Sequence, residues 1–91
     1  MNPIHLSALL SFLSELIFTN TKLTPAERAE VIRMAQGMAT KEAAAAAGIS
    51  IETARARRKR IYRKFDVHTC QQLLSKFLVE AIETRTMRAA S

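Results

Sequence analysis

Apolar positions recur at helical spacing through most of the chain and predict an all-helical protein. The first helix is expected over residues 3–18, where leucine and isoleucine form one broad stripe that Ile4, Phe12 and Phe18 widen until little polar face is left. A helix that is apolar on most sides needs burial on more than one side. In so small a protein, this indicates burial against its own core and against a second chain; a plain core helix is the simpler alternative.

Capping residues predict where the next two helices begin and end. Thr24, with Glu27 three residues later, predicts a capping box at the start of the second helix. Gly37 is positioned to end that helix in a left-handed conformation. The third helix is expected from Thr40, as a possible N-cap, to Ala47, and its run of alanines allows another helix to cross it closely.

Two further helices complete the predicted fold. Ser50 is expected to cap a fourth helix over residues 51–65. The last helix is expected to start at Thr69, which forms a second capping box with Gln72. The expected fold class is all-α, a small helix-turn-helix bundle of four helices plus an extra N-terminal helix. The expected divisions are an N-terminal apolar helix and connector over 1–22, a helix-turn-helix domain over 23–83 and a frayed tail over 84–91.

Charge is concentrated on the fourth predicted helix. The chain carries 14 Lys and Arg against 8 Asp and Glu, for a net charge of +6. Residues 51–64 alone supply that whole excess, because their only acid is Glu52. We call their seven basic residues the basic cluster: Arg55, Arg57, Arg58, Lys59, Arg60, Arg63 and Lys64. A charge run is often only a solvated helix face, but this concentration favours a polyanionic partner.

The fourth helix has two predicted sides. Ala54, Ile61, Phe65 and the aliphatic stem of Arg58 are expected to face inward. The outward side would carry the following residues: Glu52, Arg55, Ala56, Lys59, Arg60 and Arg63. Two short helices separated by residues 48–50, the second strongly basic, match a helix-turn-helix, whose second helix enters the major groove of double-stranded DNA.

Residues 23–78 also resemble the DNA-binding domain of the LuxR/GerE family of bacterial regulators. The similarity rests on conserved spacing between short motifs: Leu23-Thr24-Pro25-x-Glu27-Arg28, Gly37, Lys41-Glu42-Ala43-Ala44, Gly48-Ile49-Ser50-x-Glu52-Thr53, Ile61-Tyr62-Arg63-Lys64-Phe65 and Val67-His68-Thr69. The resemblance implies a four-helix domain in which residues 51–65 read the major groove and the last helix pairs across a dimer.

The resemblance also implies roles for individual residues. Bases would be contacted by Arg55, Ala56 and Lys59. The DNA backbone or the edge of the interface would be met by Thr40, Lys41, Thr53 and Tyr62. The remaining predicted phosphate contacts are basic residues, most of them additional to the family pattern: Arg57, Arg58, Arg60 and Arg63. Pairing would use the two apolar stripes: Leu9, Leu13 and Leu16 with Leu74, Phe77 and Leu78.

Departures from the family pattern are also visible. Alanine stands at positions 43, 47 and 54, where larger aliphatic residues are usual, so the core is expected to be thin unless the N-terminal helix adds apolar surface. Ala29 replaces a frequent glutamate, Arg57 a frequent histidine and Cys70 a frequent arginine.

Several function classes are disfavoured. No triad, paired-carboxylate site or nucleotide-binding loop is recognisable, so no enzyme, cofactor or small-molecule ligand is expected. His68 and Cys70 are two ligands only, too few for a zinc site, so no metal is expected. A single cysteine fits a reducing cytoplasm, and no segment reaches the roughly 20 apolar residues that span a bilayer, so we expect no membrane association.

Three functional hypotheses remain. The first is a transcription regulator that binds DNA as a homodimer. The second is a regulatory interaction protein, an antiactivator or co-regulator, whose N-terminal helix docks a partner regulator. Another regulator or RNA polymerase is a further candidate partner. The third, a sigma-factor-like promoter-reading module, fits the charge but fits the spacing of residues 23–69 less well.

Overall fold

The computed structural model describes residue 11 and residues 13–90, with side chains described as far as residue 84. Helix α1 covers residues 13–19. Four more helices follow: α2 (Pro25–Ala35), α3 (Thr40–Ala47), α4 (Ile51–Lys64) and α5 (Cys70–Ala90). The described residues form no strand, so the expected all-α bundle is confirmed.

Local capping chemistry sets most of the helix starts. The hydroxyl of Thr24 accepts from the backbone N–H of Glu27, and the Glu27 carboxylate accepts from the backbone N–H of Thr24, which is the predicted capping box. Gly37 follows α2 with φ +83° and Gly48 ends α3 with φ +68°, a region in which other residues are strained. The predicted cap at Thr40 is wrong, because Ala39 occupies the N-cap position and makes no side-chain bond.

Helix α5 departs from the prediction at both ends. Thr69 accepts from the backbone N–H of Gln72, but the Gln72 side chain accepts from His68 instead of Thr69, so the capping box is only half formed. The helical backbone then continues to Ala90. Helical backbone therefore covers residues 84–90 of the segment that was expected to fray.

Within the described residues, one apolar core joins α1, α2, α4 and α5. Ile17 of α1 is almost fully buried in the same cluster as Leu23, Val31 and Ile61, and Leu13 and Leu16 pack against it. At the α4–α5 end, the rings of Phe65 and Phe77 lie 5.2 Å apart at 56°, a favourable tilted geometry. These contacts show that the N-terminal helix adds the apolar surface that the small alanine side chains lack.

Two buried carboxylates of α2 face α4. Glu30 is fully buried, and its two oxygens accept from Arg33 (3.2 Å) and from Nε of Arg58 (2.7 Å). The Arg58 guanidinium also donates to the carbonyl of Met38 at 3.0 Å. Arg58 therefore joins α4 to α2 and to the turn that leads into α3.

The second carboxylate, that of Glu27, lies one turn earlier. Its Oε1 accepts from Nζ of Lys64 at 2.6 Å as well as from Thr24, while its buried Oε2 has no hydrogen bond within the described residues. Burial alone would raise the pKa of Glu27, but hydrogen bonds from Lys64 and Thr24 and the charge of Lys64 outweigh it and lower that pKa. Glu27 is thus held as a carboxylate against the end of α4.

The first prediction concerns Glu30. Glu30→Gln leaves two buried or half-buried guanidinium groups without their carboxylate, and we expect it to lower the free energy of unfolding by about 3–5 kcal/mol in urea denaturation. Glu42→Gln, which removes an exposed acid from α3, is the matched control and should change stability by no more than about 0.5 kcal/mol. Equal unfolding midpoints for the two variants would show that the pair does not hold α4.

The second prediction concerns pH. Because the pKa of Glu27 is lowered on folding, its contribution to stability is present above the unfolded value of about 4.3 and is lost as the pH falls through the lower folded value. The stability difference between the wild type and Glu27→Gln should therefore shrink as the pH is lowered from about 5 towards 3. A difference that stays constant over this range would contradict the assignment.

Candidate nucleic-acid interface

The turn between α3 and α4 sets the angle at which the two helices meet. After the left-handed Gly48, the backbone N–H of Ile49 returns to the carbonyl of Ala44 at 3.0 Å. Ser50 then begins α4: its hydroxyl accepts from the backbone N–H of Thr53 at 3.1 Å and donates to the Thr53 hydroxyl at 2.8 Å. Both ends of this short connection are therefore fixed by local bonds.

Small side chains let α3 and α4 pack closely. Ala43 and Ala44 of α3 and Ala54 of α4 are buried. A methyl side chain at each of these positions leaves little to separate the two backbones. The small alanine side chains expected from the sequence thus allow α3 and α4 to pack closely against each other, and the opposite side of α4 faces solvent.

The structure divides the basic cluster into two groups. Arg58 and Lys64 turn inward to Glu30 and Glu27, and the Arg58 side chain is only 12% exposed. Arg60 is intermediate: its Nε lies 4.0 Å from Oε2 of Glu27, yet its side chain is 59% exposed. Three of the seven cations are therefore directed towards α2.

The other four cations of the basic cluster are exposed or half-buried. Arg55, Lys59 and Arg63 are exposed and Arg57 is half-buried, and within the described part of the chain none of them has an ion-pair partner. Ala56 is also exposed. We call Arg55, Ala56, Lys59 and Arg63 the outward face of α4. This face carries three cations without acidic partners among the described residues and one small side chain. Such a surface can approach a polyanion closely.

The remaining predicted backbone contacts belong to α3 and α4. Lys41 and Thr53 are exposed near the starts of α3 and α4, and Thr40 is half-buried. Tyr62 is half-buried, and burial raises the pKa of its hydroxyl, with Cys70 adding to the shift and Arg58 opposing it. Tyr62 is therefore neutral near pH 7 and retains a proton that it could donate to a phosphate.

Arg58 requires a different interpretation from the one that the sequence suggested. Its stem lies on the inner side of α4 as expected, but its guanidinium is engaged by Glu30 and Met38 and does not extend outward. The geometry favours a structural role for Arg58 over a phosphate contact.

Sequence reasoning missed Glu30 and gave Glu27 only a capping role. A signal was present: residues 27, 30, 31 and 34 share one face of α2, so an acid at 30 lies on an apolar stripe. Arg58 likewise lies between Ala54 and Ile61 on the apolar side of α4. An acid on one inner face and an arginine on another indicate a buried pair.

The residues predicted to form the dimer interface differ in how far they are buried. Phe77 is only 1% exposed and belongs to the chain's own core, so its predicted place in a dimer interface is corrected. Leu13, Leu16 and Leu74 are half-buried, and Leu78 is 38% exposed. Leu9 lies outside the described residues.

Other chemistry is not assembled in the described part of the chain. No group of three or more His, Cys, Asp and Glu side chains comes together there in a way that could hold a metal ion. The helices described there also include none with the length and hydropathy needed to cross a membrane.

Comparison with known proteins identifies the domain. The family model described as bacterial regulatory proteins, luxR family, matches residues 21–77, which is 57 of the 91 residues. No curated protein and no solved structure gave a significant match. The matched region runs from the connector before α2 into α5 and contains the complete helix-turn-helix pair. The chain therefore belongs to the luxR family of bacterial regulatory proteins, a family of DNA-binding transcription regulators.

Proposed function

We propose that this chain regulates transcription as a homodimer, with α4 of each protomer in the major groove of a two-fold symmetric DNA site. The observation that carries this proposal is the outward face of α4, where Arg55, Lys59 and Arg63 are exposed without acidic partners among the described residues. An α-helix fits the major groove, and arginine or lysine can bond to the O6 and N7 acceptors of guanine.

Positions along α4 suggest which contacts would be specific. Arg55 and Lys59 are four residues apart and therefore on one side of the helix, with the small Ala56 beside Arg55. We assign base contacts to these three residues. We assign phosphate contacts, which set the register but carry little sequence information, to the surrounding polar residues: Thr40, Lys41, Thr53, Arg57, Arg60, Tyr62 and Arg63.

The homodimer proposal rests on α5. Leu74, Leu78 and Ile82 follow one another at intervals of four residues, so they form one face beside the buried face that contains Leu73 and Phe77. Leu78 and Ile82 are 38% and 48% exposed. Covering these side chains with the same face of a second copy would remove an apolar patch from water.

A second candidate is a regulatory interaction protein that docks a partner near its N-terminus. The observation that favours it is Phe18 at the end of α1, which is 60% exposed although the neighbouring Ile17 is almost fully buried. This role is compatible with DNA binding, because Phe18 belongs to a different helix from the outward face of α4.

The third prediction tests the assignment of base contacts. A target would first be selected from random duplexes with the purified chain. Arg55→Ala or Lys59→Ala should then cost about 1–3 kcal/mol at the selected site and little on an unrelated duplex, whereas Lys41→Ala should weaken both alike. If Arg55→Ala and Lys59→Ala lower specific and non-specific affinity equally, base reading does not occur on this side of α4.

The fourth prediction tests the dimer. Leu78→Glu would place a charge in the proposed α5 interface and should shift the protein from dimer to monomer in sedimentation velocity. Val79→Glu is the matched control: Val79 is also exposed, but it lies about 100° further round the same helix. A dimer that survives Leu78→Glu, or that both substitutions disrupt equally, would exclude this face as the pairing surface.

A further inference from the structure

A groove separates the end of α1 from the outer face of α2. It has a volume of about 380 Å³. Its apolar lining comes from Phe18, Pro25, Ala29 and Ile32, and its polar lining from Arg28, Arg33 and Gln36. We call this the α1–α2 groove. Because Phe18 is 60% exposed, a large aromatic surface is open to solvent beside it.

The groove lies on a different side of α2 from its fully buried face, and its lining residue Ile32 is half-buried and packs against the edge of the core. Positions 25, 29, 32 and 36 recur at intervals of three and four and therefore share one face of the helix. The buried positions 27, 30, 31 and 34, two of which bind α4, lie on the other face. A molecule bound in the groove would consequently leave the outward face of α4 free.

The groove is electropositive. Arg28 donates from Nε and Nη2 to the carbonyl of Asn20, at 3.2 and 2.9 Å, a neutral partner that leaves its charge uncompensated. Arg33 pairs with Glu30, but that carboxylate is shared with Arg58, so two guanidinium groups face one carboxylate. None of the described residues that line the groove is acidic.

We propose that the α1–α2 groove binds an acidic amphipathic helix of a second, different protein. Apolar side chains spaced by one helical turn would enter between Phe18 and Ile32, in the manner of helix-in-groove recognition. Acidic side chains on either side of that apolar row would pair with Arg28 and Arg33, which gives the interaction its charge selectivity. The inference rests on the second candidate function, to which it adds a partner of defined chemistry, and it does not depend on DNA binding.

A foreign helix fits this groove better than a second copy of the chain. Among the described residues, the lining comes from α1 and α2 and includes none from α5. The exposed α5 face of Leu78 and Ile82 lies on a separate element that can serve pairing between copies. Arg28 has no acidic partner among the described residues and Arg33 shares one carboxylate with Arg58, so the groove favours an acidic partner surface instead.

The test uses a synthetic helical peptide with leucine along one face and glutamate elsewhere, and the same peptide with lysine in place of glutamate. Fluorescence anisotropy with the full chain should show saturable binding of the acidic peptide alone. Ala29→Glu would place a carboxylate on the groove floor and should weaken that binding by at least about tenfold, or 1.4 kcal/mol. Gln71→Glu, at an exposed α5 position outside the groove, is the charge-matched control and should not weaken it.

Further arms distinguish other binding modes. An acidic peptide could instead bind to α4, so a saturating DNA duplex is added: a ternary complex supports the groove, whereas displacement by DNA overturns the proposal. Equal binding of the two peptides, or equal effects of Ala29→Glu and Gln71→Glu, would also overturn it. If Ala29→Glu changes the sedimentation of the free protein, the groove joins two copies and the foreign helix is rejected. If the wild type does not bind DNA, the proposed DNA-binding function is contradicted, but the result for the peptide is unaffected.

Discussion

Two buried carboxylates hold this domain together. Glu27 and Glu30 project from α2 into the interior, where a charge without a partner is costly. The cations that compensate them come largely from α4, with Lys64 on Glu27 and Arg58 on Glu30. Since the two carboxylates lie about one turn apart on α2, the two bonds together restrict both the rotation and the axial position of α4. The Arg58 bond to Met38 extends that restraint to the turn before α3.

This restraint explains why a strongly basic helix can also pack well. In a helix with seven cations in fourteen residues, the like charges repel one another, and the helix could not be buried on any side if all of them extended into water. Directing Arg58 and Lys64 inward neutralises part of that charge and buries their aliphatic stems. The cations left on the outward face are then presented by a helix whose orientation is fixed, and orientation is what a base-reading helix requires. The proposed base contacts and the cations that bind α2 thus lie on different sides of α4.

Much of the fold could be predicted from the sequence because its causes are local. The reciprocal cap of Thr24 and Glu27, the left-handed Gly37 and the Ser50 cap each involve residues within a few positions, and all three are confirmed. The prediction that Arg58 binds phosphate rested on its charge alone, because its partner is 28 residues away and only the packing of α4 on α2 brings them together.

Phe77 was misassigned for a related reason. It lies within about 100° of Leu74 and Leu78 on the helix, and periodicity cannot decide where a buried face ends and an exposed one begins. Which residues touch DNA or a second protomer depends on molecules outside the chain, so those assignments stay predictions.

We infer that α4 divides its cations between holding the helix and binding DNA. This division is tested most directly by the salt dependence of DNA affinity. For Arg63→Ala, the slope of log K against log salt should become shallower by about 1 for each DNA-bound protomer. For Lys64→Met, measured where circular dichroism shows the protein folded, the slope should match the wild type because Lys64 is held by Glu27. Equal reductions in both variants would contradict the division.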